Sequence, residues 1–192
     1  VLQQVEHYNN PGITANDALK PGTRYLDRIT RPEQIIQSFP NAVQTMLDPA
    51  DCGPACISLC QDIQGQTFDY PEEFFKERIH SIRRTRPDDF QIKEAAEKIK
   101  KSKNPIIISG GGVFYSNAME ELSNFAIKHN IPVTQTVMGY SSMKRDHSHY
   151  AGQIGGLGGK NTNDLAKETD LAIAVGTKLA DFTTGSWANF EN

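Results

Sequence analysis

The regular alternation of apolar and polar positions begins only in the second half of this 192-residue chain. From Asp88 onward, helical and buried-strand signatures follow one another. Asp88 or Asp89 can cap a helix in which Ile92, Ala95, Ala96 and Ile99 recur at helical spacing. Lys98, Lys100, Lys101 and Lys103 crowd its last turn, where they complement the helix dipole. Asn104-Pro105 ends it, and the β-branched run Ile106-Ile107-Ile108 predicts a strand buried on both faces, as in a parallel sheet. Gly110-Gly111-Gly112 then turns the chain into a second helix carrying Met119, Leu122, Phe125 and Ala126. A strand is expected over 133–137, a glycine-rich loop over 138–160 and a short helix over 161–167. A third strand, Leu171–Val175, ends at Gly176-Thr177. This order predicts an α/β fold, a doubly wound parallel sheet of three strands. The sequence stops at Phe190-Glu191-Asn192, where a further strand is due, so the domain reads as truncated at its C-terminal end.

Residues 1–71 are less regular. Turn signals punctuate them at Asn9-Asn10-Pro11-Gly12, Lys20-Pro21-Gly22 and Phe39-Pro40-Asn41. A helix is expected from about Pro32, capped by Thr30 or Arg31, with Ile35, Ile36 and Phe39 on one face. A separate short helix is expected over 42–47, stopping before Asp48-Pro49. Ala55-Cys56-Ile57-Ser58-Leu59-Cys60 reads as a short strand. Residues 72–87 carry dense charge and end at Pro87, which reads as a solvated linker. The domain reading is therefore 1–71, a linker over 72–87, and 88–192.

Composition narrows the function classes. An apolar fraction of 38% with 22% charged residues is that of a soluble globular protein. A formal net charge of −3 gives no basis for a nucleic-acid or anionic-membrane partner. No apolar run approaches the roughly 20 residues of a membrane span. Residues 1–6 lack the basic start and apolar core of a signal peptide, and with no initiator Met, Val1 reads as a cut or processed end. Cys52, Cys56 and Cys60 form neither a disulfide framework nor a zinc knuckle. They read as small apolar side chains on or beside a buried strand, with reduced thiols that fit a cytoplasmic protein.

Candidate chemistry is thin. Gly110, Gly111 and Gly112 follow a buried strand, where glycines let a phosphate approach the backbone and the next helix offers its positive end. The spacing is not Gly-x-Gly-x-x-Gly, and a tight turn with close helix packing explains the same residues. With Thr177, at the end of the third strand, these glycines are the candidate cofactor-binding positions. The run from Gly152 to Gly159 lies beyond a strand end and fits a structural or interdomain role as well as a binding loop. Asp146-His147-Ser148-His149 lacks further ligands for a metal. Gly139-Tyr140-Ser141-Ser142 fails the nucleophile-elbow pattern, and Arg83-Arg84-Thr85-Arg86 reads as solvated charge. No catalytic constellation emerges from the residues.

The order of the pieces resembles thiamine-diphosphate enzymes of the acetolactate synthase and pyruvate oxidase superfamily. The resemblance is carried by Gly53-Pro54-Ala55-Cys56-Ile57-Ser58-Leu59-Cys60-Gln61-Asp62-Ile63-Gln64 and Pro105-Ile106-Ile107-Ile108-Ser109-Gly110-Gly111-Gly112-Val113. Ile131-Pro132-Val133, Met138-Gly139, His147, Gly152 and the run from Asp170 to Thr177 continue it. It implies the tail of a pyrimidine-binding domain over 1–71 and a truncated Rossmann-like central domain over 88–192. Tyr25-Leu26-Asp27-Arg28-Ile29, Cys52-Gly53-Pro54-Ala55-Cys56 and the run from Thr183 to Phe190 are most similar to the branch that hydrolyses trihydroxycyclohexane-1,2-dione in myo-inositol catabolism. That branch opens the ring of a small cyclic diketone to a deoxy-glucuronate. The resemblance implies a thiamine ylid attacking one carbonyl, with the cofactor as electron sink and water completing the cleavage. It places the activating glutamate upstream of this chain, and the magnesium and diphosphate motif downstream. Neither Glu72 nor Glu73 has the context to substitute. No catalytic and no metal-binding residue is carried over, so thiamine diphosphate and Mg2+ belong to a full-length, homo-oligomeric parent, and the chain alone is expected to bind neither. It is also expected to be inactive, and marginal or self-associating. Some relatives bind FAD or ADP in the central domain, for which no sharp signature is present. An acetolactate-synthase-like carboligase, and a non-catalytic nucleotide-binding or oligomerisation module, are the alternatives.

Overall fold

The structure is a computed structural model, and it describes residues 9–190. The readings placed on residues 1–6 and on Glu191-Asn192 lie outside the described residues. The chain divides into two compact units, Val1–Thr85 and Arg86–Asn192.

In the first unit, β1 (Tyr25–Ile29), α1 (Ile35–Leu47) and β2 (Ala55–Leu59) form a strand–helix–strand motif with parallel strands in the register Tyr25 opposite Ala55. β1 had no counterpart in the apolar pattern, because Asp27 and Arg28 interrupt it. Both are accommodated by hydrogen bonds: Ser38 Oγ donates to Asp27, and Arg28 Nε donates to Cys60 Sγ at 3.4 Å. The two helices expected before and after Pro40 are one, since α1 runs through this proline. Proline costs the helix one hydrogen bond but does not end it when packing holds both sides. α1 buries Ser38 and Ala42, whereas Phe39, expected on the inner face, is 52% exposed. The thiols are less buried than expected: Cys52 is exposed, Cys56 and Cys60 are half-buried, and all three are free. A 3₁₀ turn at Glu72–Phe75 lies within the stretch read as linker. There Tyr70 stacks on Phe74, at 5.8 Å between ring centroids, and donates its hydroxyl to Pro32 O at 3.1 Å. α2 (Gln61–Gln64) is a single turn after β2.

The second unit opens with α3 (Asp89–Lys101), whose cap is Asp88, the carboxylate accepting from Gln91 N at 2.8 Å. Then follow β3 (Pro105–Ser109), α4 (Gly111–Tyr115), α5 (Met119–His129) and β4 (Val133–Gln135). β5 (Tyr150–Gln153), α6 (Lys160–Lys167), β6 (Leu171–Val175) and α7 (Asp181–Thr184) complete it. The sheet is entirely parallel in the order β5-β4-β3-β6. Three expectations are corrected. The single helix after the glycine triplet is two, α4 and α5. β4 is shorter than 133–137. The glycine-rich loop over 138–160 contains β5, so the sheet has four strands rather than three. β5 was hidden because Tyr150-Ala151-Gly152-Gln153 carries no apolar alternation; the edge of β4 recruits it, with a register shift at Val133/Thr134.

The sheet is covered on both faces. Ile107 and Val133, with Ile173 beside them, pack against Leu122 and Ala126 of α5 and against Ile99 of α3. Ile106 and Ile108 point the other way and pack against Ala166 and Leu165 of α6. Alternate residues of one strand thus serve two cores, which is why Ile106, Ile107 and Ile108 are all buried.

A carboxylate fixes the opposite edge. Asp170, just before β6, accepts hydrogen bonds from Ser102 Oγ, from Lys103 N at 2.7 Å and from Asn104 N at 3.0 Å. The Ser102 hydroxyl, with the two amides, holds the Asp170 carboxyl below its ordinary value. A carboxylate with a lowered folded-state pKa stabilises fully above its unfolded value of about 3.9, and the contribution is lost as pH falls through the folded value. Asp170→Asn is therefore expected to lower the melting temperature at about pH 7, with the gap to the unmodified chain closing by about pH 2. Circular-dichroism melts across this range check it; a gap of constant size would contradict the assignment.

Candidate functional site

The sheet order reverses between β3 and β6: the chain moves outward from β3 through β4 to β5, then returns to the other side of β3. The loops leaving β3 and β6 therefore diverge, and a crevice opens at the carboxyl edge between them. Its cavity measures about 410 Å3, within the span of about 300–1,000 Å3 of small-molecule sites. Gly111, Gly112 and Tyr115 form one wall, Thr136 to Met138 a second, and Gly176 to Lys178 with Phe182 a third.

Backbone contact sets this geometry. Gly110 N donates to Val175 O at 2.9 Å and Gly112 N to Gly176 O at 2.8 Å, so the two loops lie against each other without side chains between them. A Cβ on Gly110 would come within 2.4 Å of both Gly176 O and Thr177 Cβ. Gly176 adopts φ +58°, a left-handed conformation that glycine takes without steric cost. From the far side, Gly156 N donates to Phe182 O at 2.8 Å, and Asn163 holds Gly155 through both its amide atoms, Gly155 N to Oδ1 at 2.9 Å and Nδ2 to Gly155 O at 3.1 Å. Beyond α7, Gly185, Ser186 and Trp187 have φ of 59°, 56° and 67°. That turn is braced by Trp187 N donating to Thr184 Oγ1 at 3.1 Å and Ser186 Oγ to Asp181 Oδ1 at 2.7 Å.

Of the candidate positions read from sequence, Gly111, Gly112 and Thr177 line the crevice together. Gly110 does not; it is buried beneath, in contact with Gly176 and Thr177. The Gly152–Gly159 run contributes to the fold: Gly155, at φ +93°, lies where a Cβ would meet Phe182 O at 2.2 Å. His149 bonds Asn130 Oδ1 and Ser148 Oγ, at 3.1 and 2.9 Å. Among the described residues no group of three or more His, Cys, Asp or Glu could hold a metal ion. Tyr115, Met138, Lys178 and Phe182, none of which was read from sequence as a binding position, supply the exposed rim and, among the described residues, the one charged side chain of the lining. Each follows a strand's carboxyl end by a few residues, and that placement is the signal that points to them.

The lining suits binding or packing rather than bond breaking. Among the described residues it carries no carboxylate, thiol or imidazole. The hydroxyl of Thr136 accepts from Gly139 N at 3.1 Å, and that of Thr177 donates to Lys178 O at 3.3 Å.

Residues 92–192 match the family described as thiamine pyrophosphate enzyme, central domain. The chain belongs to this family. Among curated relatives, a 3D-(3,5/4)-trihydroxycyclohexane-1,2-dione hydrolase of Clostridium perfringens is 48% identical over 192 residues. Hydrolases of the same name from Clostridium botulinum (strain Alaska E43 / Type E3) and Shouchella clausii are 48% and 44% identical over 192 and 191 residues. Each match takes in 100% of this chain and 30% of the relative, so the chain spans under a third of those proteins. A solved structure described as a candidate thiamin diphosphate-dependent enzyme from Mycobacterium smegmatis is similar with a TM-score of 0.68 at 25% identity, covering 85% of this chain and 31% of that one. A magnesium-held diphosphate needs several hard oxygen donors, and among the described residues the crevice has no carboxylate to offer. The residues present do not fit that group, and no chemical step is assigned to the crevice through it.

Two glycine substitutions separate close packing from mere flexibility. Gly110→Ala is expected to cost about 1–3 kcal/mol, because backbone atoms on the β6 side must move. Gly156→Ala, whose Cβ would meet nothing nearer than 3.8 Å, is expected to stay within about 0.5 kcal/mol of the parent. Urea denaturation of the two variants checks the difference.

Proposed function

We propose that this chain is the central section of a thiamine-diphosphate-dependent hydrolase that cleaves a carbon–carbon bond of 3D-(3,5/4)-trihydroxycyclohexane-1,2-dione, opening the ring to 5-deoxy-glucuronate. The observation that carries the reading is identity of 48% along all 192 residues with a relative of that name, rather than over the central domain alone. On this reading residues 1–71 end the pyrimidine-binding domain, 72–87 connect, and 88–192 begin the central domain. The bond-breaking groups, the cofactor and its Mg2+ sit in sections of the parent flanking this one. The chain contributes scaffold: the Asp170 clamp fixes the amino-terminal ends of β3 and β6, and the Gly110–Gly176 contact fixes their carboxyl ends. Gly111, Gly112 and Thr177 are then wall positions of a crevice and not groups that touch reacting bonds. Three free thiols fit a parent that works, as a homo-oligomer, in the reducing cytoplasm.

The test exchanges this chain for the matching 192 residues of the Clostridium perfringens relative. The chimera is expected to open the dione ring only when thiamine diphosphate and Mg2+ are supplied, while the isolated chain turns nothing over. A folded chimera that joins two oxoacids instead would favour a carboligase. Turnover by the isolated chain would overturn the division of labour.

A further inference from the structure

A second concave surface lies in the first unit and is independent of the reading above. α1 presents Phe39, Pro40 and Val43 along one flank, and Phe74 faces them across a groove of about 190 Å3. Neither wall depends on the groove for its position. α1 is held to β1 by the Ser38–Asp27 hydrogen bond. Phe74 is stacked on Tyr70, whose hydroxyl is anchored on Pro32 O at the start of the same helix segment. Beyond the 3₁₀ turn the chain runs on without regular structure, starting in an extended conformation at Lys76 (φ −67°, ψ 141°). In an extended chain alternate residues share a side, and Lys76, Arg78 and His80 all line the groove. Among the described residues no acidic side chain does. Lys76 is paired with Glu73 at 2.5 Å, whereas among the described residues neither Arg78 nor His80 has an ion-pair partner.

Two basic side chains without an ion-pair partner are ordinarily part of a solvated face. Here they are set against two phenylalanines left half-buried or exposed by a fold that fixes them. We propose that this groove binds a small organic anion: a single flat apolar ring bearing one phosphate or carboxylate. The ring lies between Phe39, Val43 and Phe74, and the charged head is held by Arg78 and His80. The size agrees, since an apolar cavity of about 150 Å3 holds a benzene ring, and the groove leaves a little more than that for the head group. A guanidinium suits this double task, because it pairs with a planar anion in bidentate fashion and stacks on aromatic faces.

The test is an amide-resolved NMR titration of the intact chain with phenyl phosphate, benzoate, inorganic phosphate and benzyl alcohol. Phenyl phosphate and benzoate are expected to give saturable shifts confined to residues 39–43 and 74–80. Arg78→Gln is expected to weaken both by about tenfold, the effect of one charge-assisted hydrogen bond. Phe39→Ser is expected to weaken phenyl phosphate and leave inorganic phosphate unchanged. Both positions are exposed, so the variants keep the fold, which their unperturbed remaining spectra verify. Inorganic phosphate binding as tightly as phenyl phosphate would overturn the proposal in favour of diffuse charge attraction. Benzyl alcohol binding as tightly as the anions would overturn it in favour of a plain apolar groove. Shifts that do not saturate, or affinity unchanged in Arg78→Gln, would overturn it outright.

Discussion

The approach of two bare backbones, Gly110–Gly112 after β3 and Gly176 after β6, is the constraint on which the second unit rests. A parallel sheet that reverses its winding direction must split its loops at one point, and here the split begins from direct contact. The paired hydrogen bonds Gly110 N to Val175 O and Gly112 N to Gly176 O set the separation of the strands' carboxyl ends. From that separation follow the angle at which α4 leaves the sheet and the width of the crevice. The amino-terminal ends are gauged separately, by one carboxylate, Asp170, reading two backbone amides and a hydroxyl. The four-stranded sheet is held at both ends by polar contacts and between them by the isoleucines of β3.

This division explains what the sequence disclosed and what it withheld. Ile106-Ile107-Ile108 announced a doubly buried strand because a central strand of a parallel sheet is covered on both faces. The helix α3 was legible from its spacing and cap, α5 from its apolar residues, and α6 from its place between the glycine-rich loop and β6. β1 and β5 were not, since each satisfies its strand geometry by partnership: β1 carries Asp27 and Arg28 with local hydrogen bonds, and β5 borrows its register from β4. Pro40 misled for a related reason, because a proline breaks an isolated helix more reliably than one clamped on a sheet. A tertiary contact decided each case, and such contacts leave no periodic trace.

The candidate site was half legible. The glycines of 110–112 stood out as a group, but composition could not say that Gly110 is a packing position while Gly111 and Gly112 face the opening. The rim, with Tyr115, Met138 and Phe182, is apolar and exposed, a combination that a linear reading spends on cores. The family resemblance set the cofactor chemistry outside this chain and so assigned no role to a residue of the crevice.

The reversal of strand order also has a consequence in time. Asn104 and Asp170, which meet at the entrance to β3 and β6, are 66 residues apart in sequence, whereas β3, β4 and β5 join in succession through nearer neighbours. Closing the longest loop costs the most chain entropy and contributes its contacts last. β6 is therefore expected to join a sheet already three strands wide. The crevice does not exist until it does, so a molecule that fits the opening would recognise only chains whose folding has finished.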